Sequence, residues 1–223
     1  MGQQGKGAVV RASEEQIKAL TQQAQSSNGG KWKGKGPFNL LQSRSVHSNK
    51  FGQFFEVTPN DYEQLRDMNS SVSFAKLNQG GMMAPYYNSK STKIVYVADG
   101  NGYFEMACPH VASQSQGPQT PEGVKESTGY KKLHAHLSPG DALIIPAGHP
   151  VTFIAGQNDN LQLVAFGVNA YDNERHFLAG QENVMNQLEK EAKELSFNTR
   201  AEEVEEIFNN QKDSYFVAGP KGI

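Results

Sequence analysis

The chain has 223 residues, a length that suits one or two domains. A formal net charge of -2 excludes a general nucleic-acid binder, and no apolar run is long enough to cross a membrane as a helix. The single cysteine, Cys108, excludes an internal disulfide framework, and 22 glycines fit a loop-rich β protein with many turns.

The opening Met1-Gly2-Gln3-Gln4-Gly5-Lys6-Gly7 lacks the apolar core of a signal peptide. The expectation is a cytosolic chain, or a processed or recombinant piece of a longer precursor. Residues 1–36 read as an arm. Ser13-Glu14-Glu15-Gln16 is a capping box that opens a short helix over residues 14–24, with Ile17 and Leu20 on one face. Residues 26–36 are rich in Gly, Lys and Ser and read as a flexible linker. The lysines there are too few and scattered for a basic recognition tail.

From Pro37 the composition changes, and residues 37–170 read as a β-sandwich or barrel. Residues 38–59 form short strands and turns. Further strands are expected at 72–77, 93–97, 102–108, 130–137, 143–145, 151–155 and 161–168, punctuated by Gly, Pro, Asn and Asp. Residues 111–129, rich in Ser, Gln, Gly and Pro, read as a surface loop open to proteases. After Tyr171 the period becomes helical, giving an arm over 171–223. Val184, Leu188, Ala192 and Leu195 form one apolar stripe. Thr199-Arg200-Ala201-Glu202 is a second capping box, opening a helix that carries Val204, Ile207 and Phe208. With Phe197, Tyr215 and Phe216, these residues mark a subunit interface.

The stretch Ser138 to Val151 reads as turn, short apolar strand, tight corner and second strand. It resembles the second motif of the cupin superfamily, G-x5-P-x-G-x-x-H, through Gly140, Pro146 and Gly148, with Val151 where that motif has its histidine. The resemblance then narrows. Gly36-Pro37-Phe38-Asn39-Leu40, the run Ser48 to Pro59, Leu137 to Asp141, Pro146 to Pro150, Asn183-Val184 and Thr199 to Phe208 resemble the C-terminal half of a 7S vicilin-type seed storage globulin. That resemblance implies a mainly β chain built on a cupin (jelly-roll) barrel with a helical arm. It implies a non-enzymatic nutrient reservoir of the seed protein storage vacuole, of a kind that can be allergenic. It also implies a bicupin homotrimer joined through the helical arms, with the N-terminal cupin half on a separate or missing chain.

The first cupin motif, H-x-H-x3-4-E, falls at Tyr86, Asn88 and Lys93. An ammonium in place of a carboxylate repels a metal cation. With Val151, all four customary ligands are replaced, and Tyr86, Asn88, Lys93 and Val151 are expected to converge inside the barrel. A different ligand set remains. Phe104, Met106, Cys108 and His110 alternate on one strand, and His149 shares the inward phase of Val151, about 6–7 Å away by strand rise. One thiolate and two imidazoles suit copper or zinc, and a weak fourth ligand favours copper. Tyr86, Tyr87, a water or a group from the other half would complete that set. Members of the resembled family hold copper through such a Cys-x-His plus His set. The structural alternative is that Cys108 is a small apolar filler. His134 and His136 form a second H-x-H, read as solvent-facing, with Leu133, Ala135 and Leu137 on the core side. His47 and His176 are read as surface residues, and Asn69-Ser70-Ser71 as a glycosylation triplet. Two other classes stay open: a metal-dependent cupin oxidoreductase or dismutase using Cys108, His110 and His149, and a small-ligand or hormone carrier.

Overall fold

The computed structural model describes residues 13–18, 37–109 and 131–220. The expected linker at 26–36, the loop at 111–129 and His110 lie outside them. The chain forms two units, Met1–Asn39 and Leu40–Ile223. In the first, residues 14–18 are helical (α1). The capping box closes as the residue types require. Ser13 Oγ accepts the Gln16 N–H at 3.2 Å, and Gln16 Oε1 accepts the Ser13 N–H at 2.9 Å.

The second unit carries a short helix, α2 (Glu63–Asp67), after the second strand, and thirteen described strands. In chain order they are β1 (His47–Asn49), β2 (Gly52–Val57), β3 (Ser70–Leu77), β4 (Gly81–Met83), β5 (Tyr86–Asn88), β6 (Thr92–Gly100), β7 (Gly102–Cys108), β8 (Lys131–Leu137), β9 (Ala142–Ile145), β10 (Val151–Ala155), β11 (Leu161–Val168), β12 (Arg175–Phe177) and β13 (Phe216–Ala218). One antiparallel sheet runs β1-β2-β3-β11-β6-β9. The other runs β12-β5-β10-β4-β13, with β7 on β10 and β8 on β7. Side chains of one strand phase face inward, because successive residues point to opposite faces. On β3 that phase is Ser71, Ser73, Ala75 and Leu77; on β7 it is Gly102, Phe104, Met106 and Cys108. Leu77, Val97, Ile145, Leu161 and Phe216 are fully enclosed between the sheets. Gly100 makes the β6–β7 corner at φ +78°, where a Cβ would overlap the Asn160 carbonyl, so no other residue fits there.

The C-terminal region mixes helix with strand. β12 pairs with β5 and β13 with β4, so two segments beyond Tyr171 complete the second sheet. The stripe expected from Val184 is divided. Val184–Gln187 is a 3-10 turn, and helix α3 runs Lys190–Phe197. α3 buries Lys193 and exposes Ala192 and Leu195, the latter by 85%. Lys193 lies inward, where its ammonium meets Glu205 Oε1 of helix α4 (Ala201–Asn209) at 2.9 Å. α4 buries Ala201 and Val204 and leaves Ile207 exposed. The second capping box does not close. The helix starts at Ala201 with Arg200 in the cap position, so the Thr199 hydroxyl reaches the Glu203 carboxylate instead of a helix N–H. Asn183, buried, ties the arm together by donating to the carbonyls of Gly180 at 2.6 Å and Phe208 at 3.3 Å.

Candidate metal centre and the buried ion cluster

The four positions that replace the customary cupin ligands all face inward. Tyr86, Asn88, Lys93 and Val151 are each buried. Val151 faces Tyr86 across the β10/β5 ladder, and Asn88 shares the inward phase of Tyr86. Tyr86 and Lys93 line one small cavity. There the Lys93 ammonium lies 3.1 Å from Glu56 Oε1 and donates to Ser71 Oγ at 2.9 Å. Arg175 grips the same carboxylate through Nη2, at 3.2 Å from Oε1 and 3.3 Å from Oε2. Its guanidinium also lies over the Phe54 ring, 4.3 Å from the centroid. The interior therefore holds a Lys93–Glu56–Arg175 cluster in place of a metal ligand set.

Burial alone would raise the Glu56 carboxyl, but Arg175 and Lys93 outweigh that and hold it below its ordinary value. Burial lowers Lys93 by more than Glu56 restores. The Tyr86 phenol is pushed up to about 12, chiefly by burial, and stays neutral. Two buried donors in this region have no hydrogen-bond partner, Asn88 Nδ2 and Arg175 Nε. Their residues face each other across the β5/β12 ladder.

Glu56 and Arg175 were missed in the sequence. The available signal for Glu56 was its phase, since it follows Phe54 by two on β2 and so shares the inward face. Arg175 sits in a three-residue strand and carries no such signal.

Of the sequence-derived metal set, two members fall in described residues. Cys108 is 1% exposed and ends the inward phase of β7. Burial pushes its thiol up. His149 is 8% exposed. β7 and β10 pair in the register Met106–Val151, and the Ala107 N–H bonds the Pro150 carbonyl at 2.8 Å. The ladder ends at Met106–Val151, two residues short of Cys108 and His149 along each segment. His149 Nδ1 lies 3.1 Å from the Ala147 carbonyl oxygen. A carbonyl only accepts, so in the neutral ring Nδ1 carries the proton and the lone pair falls on Nε2. Among the described residues no group of three or more His, Cys, Asp or Glu side chains is placed to hold a metal.

The other histidines divide. His134 and His136 are exposed on β8, His134 opposite Glu105 and His136 edge-on to Tyr103. Leu133 and Ala135, expected on the core side, are exposed, Leu133 by 47%, because among the described residues β8 pairs with β7 alone. His47 is no surface residue; its ring stacks on Tyr215 at 4.7 Å and its Nε2 is buried. His176 meets Glu174 at 3.3 Å and the Tyr87 ring at 5.1 Å. In the Asn69 triplet both ends of the amide are engaged. Nδ2 donates to Asn169 Oδ1 at 3.1 Å and Oδ1 accepts the Tyr171 N–H at 2.8 Å.

The sequence model of the family described as Cupin matches residues 38–205. The chain belongs to the cupin family. Within it, this cupin is similar to vicilins. Vicilin Cor a 11.0101 of Corylus avellana is 45% identical, over 98% of this chain and 47% of its own length. The crystal structure of vicilin from Corylus avellana superposes with a TM-score of 0.80 at 44% identity, covering 99% of this chain and 54% of that one. Vicilin from Solanum melongena superposes with a TM-score of 0.79 at 44% identity, covering 98% of this chain and 55% of that one; its structure revealed different anionic ligands in structurally similar pockets. The cupin chain thus spans about half the length of these relatives.

Proposed function

We propose that this cupin is one half of a vicilin-type seed storage globulin, a nutrient reservoir with no catalytic role, kept in the protein storage vacuole. The observation that carries the reading is the cluster of Lys93, Glu56 and Arg175 where the superfamily places its catalytic metal. A buried ammonium repels the cation that oxidase chemistry needs. The other half of the subunit would cover the outer face of the six-stranded sheet. Two registered rows there are apolar: Ile144, Ile94, Phe166 and Val72, and beside them Tyr96, Val164 and Phe74. Ile144, Phe166 and Tyr96 are each more than 40% exposed, which marks an interaction surface. Homotrimers would form through the helical arms, where Leu195 and Ile207 are uncovered. Antibody detection of the chain through seed filling and germination tests the storage role. Accumulation followed by degradation is expected; steady low levels in all tissues would contradict it.

A metal need not be absent from such a protein. Cys108, His110 and His149 would hold copper, or zinc, in a structural or protective role. The burial of both Cys108 and His149, with Cys108 ending the inward phase of β7, supports this reading. When bound, copper would supply one-electron redox chemistry, while the chain's own residues set its ligands and enclosure.

A second reading concerns the barrel interior. The cavity beside Lys93 and Arg175 carries two cations against one carboxylate, and we propose that it takes an anion; anionic ligands occur in pockets of the Solanum melongena vicilin.

A further inference from the structure

His134 and His136 are used neither by the storage reading nor by the barrel interior. They project from the outer face of β8, two residues apart and both exposed. The outward phase of β7 sets Glu105 opposite His134 and Tyr103 opposite His136. Same-face neighbours on a strand stand about 6–7 Å apart, a span that two imidazole arms close onto one ion at about 2.0–2.1 Å from each nitrogen. This is the spacing of the superfamily's own H-x-H, on a different strand and pointing away from the interior that holds Tyr86 and Asn88.

A chain of hydrogen bonds sets the state of one ring. Asn101 Nδ2 donates to Asp159 Oδ2 at 2.9 Å, which turns Asn101 Oδ1 toward Ser138. That oxygen only accepts, so the Ser138 hydroxyl donates to it, at 3.4 Å. With its proton given to Asn101, Ser138 Oγ meets His136 Nδ1 at 3.3 Å as the acceptor. Nδ1 therefore carries the proton in the neutral ring, and the lone pair falls on Nε2, the nitrogen farther from the backbone. The Tyr103 ring, edge-on at 5.0 Å, braces the imidazole. A hydrogen bond of this kind on the second nitrogen is what orients a ligating histidine and raises its basicity. The nearest ammonium, that of Lys132, is held by Glu105 at 2.7 Å.

We infer that His134 and His136 form an exchangeable surface chelate for a divalent transition-metal ion of the nickel, copper or zinc class, with Ser138 as its positioning residue. Imidazole nitrogens select such ions over magnesium and calcium, which take oxygen ligands. Two protein ligands leave the remaining coordination positions to water or to a donor from outside the chain, so the ion exchanges freely. The chelate is separate from the corner of Cys108 and His149, which are buried where His134 and His136 are exposed.

The test is calorimetric titration of the untagged intact chain with nickel chloride, with magnesium chloride as the control. Wild type is expected to show a saturable nickel phase and no magnesium binding. His134→Gln and His136→Gln should each abolish that phase with the unfolding midpoint unchanged, since both side chains are exposed. Cys108→Ala should leave it in place, which separates this chelate from the enclosed corner. Ser138→Ala should weaken nickel about tenfold at unchanged stoichiometry, and Ser138→Thr, which keeps the hydroxyl, should restore it. Nickel binding that is equal in wild type and either histidine variant, or that disappears in Cys108→Ala, would place the ion elsewhere and overturn the inference. Wild type with no saturable nickel phase would overturn it too. Full affinity in Ser138→Ala would overturn the role given to Ser138.

Discussion

Glu56 is the residue on which the interior electrostatics turn. Among the described residues it is the one carboxylate paired with both Lys93 and Arg175, and removing one partner of a buried ion cluster leaves charges with neither water nor counter-ion. Glu56→Gln should therefore destabilise the chain by about 3–5 kcal/mol, read by urea unfolding at neutral pH. A loss under 1 kcal/mol would mean the cluster is not enclosed as described. The pH dependence follows from the same carboxylate. Its folded pKa lies below the ordinary 4.5, so its stabilisation is present above that value and is lost as pH falls through the lower folded one. Wild type should lose stability on acidification below about pH 4.5, and Glu56→Gln should show a flatter profile there. Lys93 was legible in the sequence as a misplaced charge, because it shares the inward phase with Val95 and Val97. Arg175 was not, because β12 is three residues long and its inward face is set by pairing with β5, a contact across more than eighty residues.

At the scale of elements, long alternating strands were readable and short ones were not. β7, β10 and β11 fall at the spans that alternation and turn residues mark. β4, β12 and β13 are too short to show a period, and they exist because a neighbouring edge needs hydrogen-bond partners. The arm shows tertiary contacts overriding pattern. The apolar period of α3 points Ala192 and Leu195 to solvent, while Lys193 turns inward to Glu205. An apolar helix face left open in one chain is stable when another subunit covers it. Leu195→Asp with Ile207→Asp should shift the assembled protein to smaller species in sedimentation, with the unfolding midpoint of the barrel little changed. Unaltered sedimentation would remove the arm as the assembly surface. Lys193→Met tests the α3–α4 pairing separately, since it keeps a buried stem and drops the ion pair.

For the whole molecule, the cupin scaffold was legible from Gly140, Pro146 and Gly148, because corner geometry restricts residue type strongly. Gly140 and Gly148 both adopt positive φ, at 97° and 75°. The interior chemistry was legible only as a loss: the replaced positions told what could no longer bind, and the partner carboxylate and guanidinium came from distant strands. The account makes the barrel a retained shell with its metal position filled by an ion cluster, and moves any metal to the Cys108–His149 corner. Anomalous diffraction at the copper edge, on crystals of the protein from its own tissue, separates these places in one experiment. The account predicts a copper peak beside Cys108 and His149 and none near Lys93, Asn88 or Tyr86. A peak among those three, with Lys93 turned away from Glu56, would contradict it.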